Sequence, residues 1–239
     1  MAAKRYRANP TTPRAKCIAV IGDVVSSKEV RGDQRRKLQH RITATLDQIN
    51  RTMEDGLVAD FTVTLGDEFE CVVRPEMAEK LVPDLIWIIE RALSEVGIRF
   101  GIGIGTIDTD LSRDPRAMDG SAFHAARDAI RNAAESGRLG GVYRGFGEEF
   151  DSILNGLSRL LHHHRAGWST RQLRVADLLR SGLRATEAAA VLKVTKQAIS
   201  KSAQASGWES YQEGEEGWRK AIHAAVRCGC EEGQNQPST

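Results

Sequence analysis

The chain has 239 residues, 41% hydrophobic and 28% charged with six prolines, the composition of a soluble globular protein rather than a disordered or fibrous one. That length admits one ordinary core and a small second one, so two domains are expected. A net charge of +2 does not announce a polyanion partner for the whole chain, and no apolar run approaches the ~18 residues of a membrane span, so no membrane partner is expected.

Residues 1–16 are basic and lack the apolar stretch of a secretory signal, and they read as a flexible tail on a cytoplasmic protein. The run Cys17-Ile-Ala-Val-Ile21 ends at Gly22-Asp23 and reads as a buried strand entering a loop. Residues 33–53 carry Leu38, Ile42, Leu46 and Ile49 at helical spacing. Phe61-Thr-Val-Thr-Leu65 and Phe69-Glu-Cys-Val-Val73, joined by Gly66-Asp67-Glu68, make a hairpin. Residues 75–96 give a second helix, and Ile98-Arg-Phe-Gly-Ile-Gly-Ile104 a strand whose glycines let something approach the backbone. The order is βαββαβ, an α+β arrangement of the ferredoxin-like kind. A loop over 108–119 and a helix over 121–136 follow, the helix ended by Gly137, Gly140 and Gly141.

Beyond Phe150 the pattern is wholly helical. We divide the chain into a basic tail (1–16), an α+β domain (17–148), a connector helix (149–168), an all-α domain (169–226) and a polar tail (227–239). His162, His163 and His164 read as exposed, since consecutive helical positions point ~100° apart and cannot share one ion. Cys17 and Cys71 read as buried thiols, and Cys228-x-Cys230 is too little for a zinc site.

Between residues 165 and 206 there are eight basic residues and two acidic ones, the footprint of phosphate contacts with duplex DNA. Ser169-x-x-Gln172 is a capping box opening a helix that stops near Gly182. A short helix over 186–192 and a turn at Val194-Thr195 lead to a third helix over 196–205, capped by Thr195. Ala189 is small where two helices cross, Leu192 and Val194 fill the corner, and Ile199 faces it. This is helix-turn-helix spacing, and it leaves Lys196, Gln197, Ser200, Lys201 and Gln204 outward with Thr195 at the helix start, side chains suited to base edges and phosphates. Arg171 and Arg174, on the preceding helix, suit the backbone. Lys193 stands where such turns usually carry glycine, tolerable if it need not take a positive φ.

Asp23 and Asp67 come to neighbouring strand ends in a βαββαβ sheet, an oxygen-ligand pair for Mg²⁺ or Mn²⁺ holding a nucleotide phosphate. The segments Val20-Ile-Gly-Asp-Val-Val-Ser-Ser27, Phe61-Thr-Val-Thr-Leu-Gly-Asp-Glu-Phe-Glu70, Arg99-Phe-Gly-Ile-Gly-Ile-Gly105 and Asp119-Gly-Ser-Ala-Phe-His-Ala-Ala-Arg-Asp-Ala129 resemble the SatD family, which a C-terminal helix-turn-helix also fits.

They are also similar to nucleotidyl cyclases, with Leu65-Gly-Asp-Glu-Phe69 like the GGDEF hairpin. That resemblance implies Asp23 and Asp67 as metal ligands, Gly22, Gly66, Glu68 and Arg127 at the nucleotide, and Asp23, Asp67 and Arg127 as the catalytic candidates. Phe123 stands where the class III helix has asparagine, so one polar contact to the ribose is missing and nucleotide sensing is favoured over chemistry. The expected protein is a DNA-binding transcriptional regulator with a nucleotide-sensing cyclase-like domain, a homodimer by resemblance. The alternative is a nucleotidyl cyclase or other phosphoryl-transfer enzyme localised by its helix-turn-helix.

Overall fold

The computed structural model describes residues 16–25, 32–64 and 66–234. Residues 1–15 of the expected tail, 235–239 of the polar tail, and Ser26, Ser27 and Leu65 of the family segments lie outside the described residues.

A five-stranded sheet and eight α-helices are described, a mixed α+β architecture. The strands are β1 (Lys16–Val25), β2 (Leu57–Val63), β3 (Glu68–Val73), β4 (Gly97–Thr106) and β5 (Gly140–Arg144), in the order β2-β3-β1-β4-β5. β1 pairs antiparallel with β3 and β4, β2 antiparallel with β3, and β5 parallel with β4.

Alternation along β1 sends Ile18, Val20 and Val24 to one face, under α1 (Gly32–Thr52) and α2 (Ala78–Ala92). Cys17, Ala19 and Ile21 go to the other, under α3 (Ser121–Glu135). The β4 glycines have a structural explanation. A Cβ at Gly101 or Gly103 would strike the backbone of α3 around Ala126, so what approaches the strand is the protein's own helix. Burial raises the thiol pKa of Cys17 to about 11 and holds that of Cys71 well above its ordinary value, as expected for inert core cysteines.

The sequence reading misses β5, a short edge strand opening with Gly140-Gly141, residues of low strand propensity. The connector is α4 (Glu148–Ala166), which buries Leu154 and Leu161. Then come α5 (Thr170–Arg180), α6 (Ala185–Leu192), α7 (Lys196–Ser206) and α8 (Trp208–Gln234). The polar tail expected from 227 is therefore helical through 234, continuing α8. No helix among the described residues is long and apolar enough to cross a membrane.

The helices after α4 do not hang from a tether, because one apolar cluster runs from the sheet through Trp87 of α2 to Trp168, Ala176, Trp208, Tyr211, Trp218 and Ile222. Trp87 anchors this seam. Its Nε1 donates to Asp177 Oδ1 (3.1 Å), its ring meets Trp168 and Tyr211, and the guanidiniums of Arg165 and Arg180 lie 5.0 and 4.9 Å from its centroid.

Around it the charges pair. Arg91 Nε and Nη2 donate to the Asp177 carboxylate (3.0 and 2.9 Å), and Arg180 donates to Glu215 (2.6 Å) and Asp84 (2.7 Å). Arg219 donates to the same two acids (2.5 and 2.6 Å). Pro83 has no N–H for the Glu79 carbonyl one turn back, and Arg219 Nη1 donates to that carbonyl instead (3.1 Å).

Of the three histidines only His163 is exposed. His162 Nδ1 faces Glu90 Oε1 at 3.1 Å and burial lowers its pKa, while His164 Nε2 meets the Ser206 carbonyl at 2.8 Å. Both belong to the seam, which long-range packing decides and helical periodicity does not reveal.

Glu215→Ala would leave Arg180 and Arg219 sharing Asp84 as their one carboxylate within the seam. Urea unfolding should show a loss of about 3 kcal/mol, the scale for breaking a buried pair. Glu216→Ala, which removes an exposed pair with Lys220, should leave the midpoint unchanged.

Candidate functional site

Two surfaces carry the residues singled out from sequence. The first is built by α5, α6 and α7. Ser169 Oγ accepts from Gln172 N and Gln172 Oε1 accepts from Ser169 N, the expected capping box. The core of this unit is small, formed by Val175, Ala188, Ala189 and Ile199 with Leu192 partly buried. Val194 is 38% exposed and does not fill the corner as expected. Its N–H donates to the Ala189 carbonyl at the end of α6, which fixes the turn through backbone.

Lys193 adopts φ 53°, ψ 46°, so the left-handed position usually given to glycine is held here by lysine, contrary to the sequence-based expectation. Thr195 Oγ1 accepts from Ala198 N (3.1 Å) and caps α7, leaving its hydroxyl hydrogen free to donate.

Arg171, Arg174, Thr195, Lys196, Gln197, Ser200, Lys201 and Gln204 are all exposed. Arg165, Arg180 and Asp177 are not available to this surface, because the seam holds them. Removing them leaves six basic residues between 165 and 206 (Arg171, Arg174, Arg184, Lys193, Lys196, Lys201) and one acid, Glu187, which pairs with Arg184.

The second surface lies at the β1 and β3 ends. Register sets Asp23 directly opposite Glu68, with Asp67 one residue beyond in the turn. The Asp23 side chain is 38% exposed and lies 3.4 Å from Arg99 Nη1 on β4. Asp67 is buried, with Oδ2 3.9 Å from Arg35 Nη2 on α1 and Oδ1 lacking any hydrogen-bond partner. Among the described residues no three His, Cys, Asp or Glu side chains form a group able to hold a metal, so Asp23 and Asp67 are set at adjacent strand ends without a third ligand.

Gly66 is exposed at φ +69°, whereas Gly22 is buried and the Phe69 ring occupies the space a side chain would need. Arg127 lies 3.5 Å from Glu70 Oε2 and 4.0 Å from Glu68 Oε1. Phe123, one turn before it, is buried in the core under α3 and presents nothing polar.

Glu70 escapes the sequence reading. Its place two residues after Glu68 on one strand face was the available signal. At 2% exposure its pKa is raised, chiefly by burial, with Arg127 opposing. Oε2 makes no hydrogen bond, so the 3.5 Å approach of Arg127 is a charge contact only.

Fold and surfaces together define a mixed α+β protein with helical C-terminal elements, α4 to α8, packed on its sheet domain. The chain belongs to the SatD family, whose pattern it matches over residues 17–216. Solved structures similar to it include a bacterial light-regulated adenylyl cyclase, with TM-score 0.42 and 13% identity over 54% of this chain and 76% of that one. A second structure of such a cyclase gives 0.41 and 16% over 56% and 46%. A regulator of polyketide synthase expression from Bifidobacterium adolescentis gives 0.22 and 16% over 91% and 86%. These scores are too low to bear on function. No curated protein matches the chain.

The raised pKa of Glu70 sets a pH dependence. A carboxyl that ionises less readily when folded contributes stability below its unfolded pKa and loses it as pH rises through the folded value. Glu70→Gln should therefore gain stability relative to the parent above that range. The gain should vanish once the pH falls below the ordinary carboxylate value of 4.5, as read by urea titration at a series of pH values.

Proposed function

We propose that this protein is a DNA-binding transcriptional regulator, with α5, α6 and α7 as its helix-turn-helix and the sheet domain as a nucleotide and metal sensor. The observation that carries the reading is that all eight side chains assigned to DNA are exposed around a Thr195-capped α7. The free N–H groups and positive dipole end of α7 favour phosphate, with Thr195 and Lys196 beside them. Gln197, Ser200, Lys201 and Gln204 follow along the outer face, where bases are read. Arg171 and Arg174 on α5 suit the flanking backbone.

For the sheet domain, the pairing β4-β1-β3-β2 supports the ferredoxin-like, cyclase-related plan. The orphaned Oδ1 of Asp67, in the turn one residue beyond the register partner of Asp23, supports Mg²⁺ or Mn²⁺ as the bridge to a nucleotide, with Gly66 and Glu68 at its edge. Arg127 would meet phosphate after leaving Glu70. A nucleotidyl cyclase or other phosphoryl-transfer enzyme is the second reading, resting on that same orphaned oxygen. The buried Phe123 favours sensing, and product formation from nucleoside triphosphates would decide for the enzyme.

On a site selected from random duplexes, Gln197→Ala should cost about 1–3 kcal/mol while sparing non-specific binding. Arg174→Ala should weaken all duplexes alike and lower the salt slope by about one. Anisotropy titrations at several salt concentrations read both, and a chain that enriches no duplex and binds none at low salt is not a DNA reader. Asp67→Asn should abolish divalent-dependent nucleotide binding in calorimetry with the melting temperature preserved, and unaltered binding would reject the metal site.

A further inference from the structure

The outward face of α4 is uncovered and self-complementary. Leu154, Ser158 and Leu161 are buried, while on the opposite side Ile153 is 42% and Leu160 68% exposed. No other large hydrophobic among the described residues is as exposed as Leu160. Between the two lies Gly156, exposed, with open space where a Cβ would stand. The ends of this face differ in charge, with Glu148 and Glu149 at the start and Arg159, followed by the polar His163, toward the finish. None of these four has an ion-pair partner among the described residues.

The spacing is symmetric about the glycine, for Glu149 and His163 each lie seven residues from Gly156, and Ile153 and Arg159 each three. In an antiparallel pair of α4 helices crossing at Gly156, the acidic end of each meets the basic end of the other. Ile153 then lies against Leu160 and the aliphatic stem of Arg159 of the second copy. A partner of one charge would satisfy only one end of this face, whereas a second copy satisfies both.

We propose that α4 is a homodimer interface, with two copies packed antiparallel through Ile153 and Leu160, crossing at Gly156 and joined at both ends by Glu149 with Arg159 and His163. It involves none of the DNA-reading residues, so it stands or falls separately from that function.

Sedimentation equilibrium of the full chain without DNA tests it, and the parent should be a dimer in the micromolar range. Leu160→Glu should raise the dimer Kd at least about tenfold, with an unchanged circular dichroism melt to show that it folds. Glu149→Arg should weaken the dimer and Arg159→Glu added to it should restore it. The two positions lie about 15 Å apart along one helix, so the rescue can only act between copies. Gly156→Cys, made with Cys228→Ser and Cys230→Ser, should form a disulfide with its own equivalent. A chain that stays monomeric throughout, a dimer that Leu160→Glu leaves intact, or a charge swap that restores nothing would overturn the proposal.

Discussion

The structure depends on one side chain, Trp87 of α2, which is met by Arg165 of α4, Trp168, Asp177 and Arg180 of α5 and Tyr211 of α8. A 5% exposed indole that donates to a carboxylate and lies near two guanidiniums combines apolar burial, a charge-assisted hydrogen bond and cation–π attraction. None of these is large alone. Together they order Arg165, Arg180 and Asp177, whose charges would be costly in a seam without partners. Burial disfavours the Arg180 charge, but Glu215 and Asp84 outweigh it and raise its pKa. Tyr211, whose pKa burial raises, stays a neutral phenol accepting from Arg165 Nη1 at 3.0 Å.

A consequence follows for how DNA would be read. Since α2 lies on the sheet and α5 is pinned to α2 through Arg91–Asp177 and Arg180–Asp84, the exposed face of α7 has a fixed direction relative to the β1 and β3 ends. The α5–α7 unit has a small core of its own, and its orientation comes from the seam.

How much of this was legible in the sequence depended on whether the signal was local. The helices α1 and α2, the hairpin, the Ser169–Gln172 box and the Thr195 cap were legible, since periodicity, turn chemistry and caps act within a few residues. The adjacency of Asp23 to the hairpin turn was legible through strand order. What was hidden was long-range or locally contradictory. Gly140-Gly141 masks β5, and Gly214 and Gly217 interrupt the helical pattern of α8 although tertiary packing carries the helix past them. Partners far apart in sequence, Arg35 for Asp67 and Arg99 for Asp23, leave no local trace. Lys193 in a left-handed turn breaks the local rule for glycine, and the Val194–Ala189 backbone bond shows the chain turning there regardless.

The central claim, that sheet domain and C-terminal helices form one body joined at Trp87, can be measured without any ligand. All four tryptophans, Trp87, Trp168, Trp208 and Trp218, are buried in or beside the seam, so their fluorescence reports on it. Far-ultraviolet circular dichroism reports on all helices and the sheet. Equilibrium urea unfolding followed by both should give a single superimposable transition, with parent fluorescence and ellipticity sharing one midpoint. A fluorescence transition at lower urea than the loss of ellipticity would mean that the seam opens before the domains melt, and would contradict the claim.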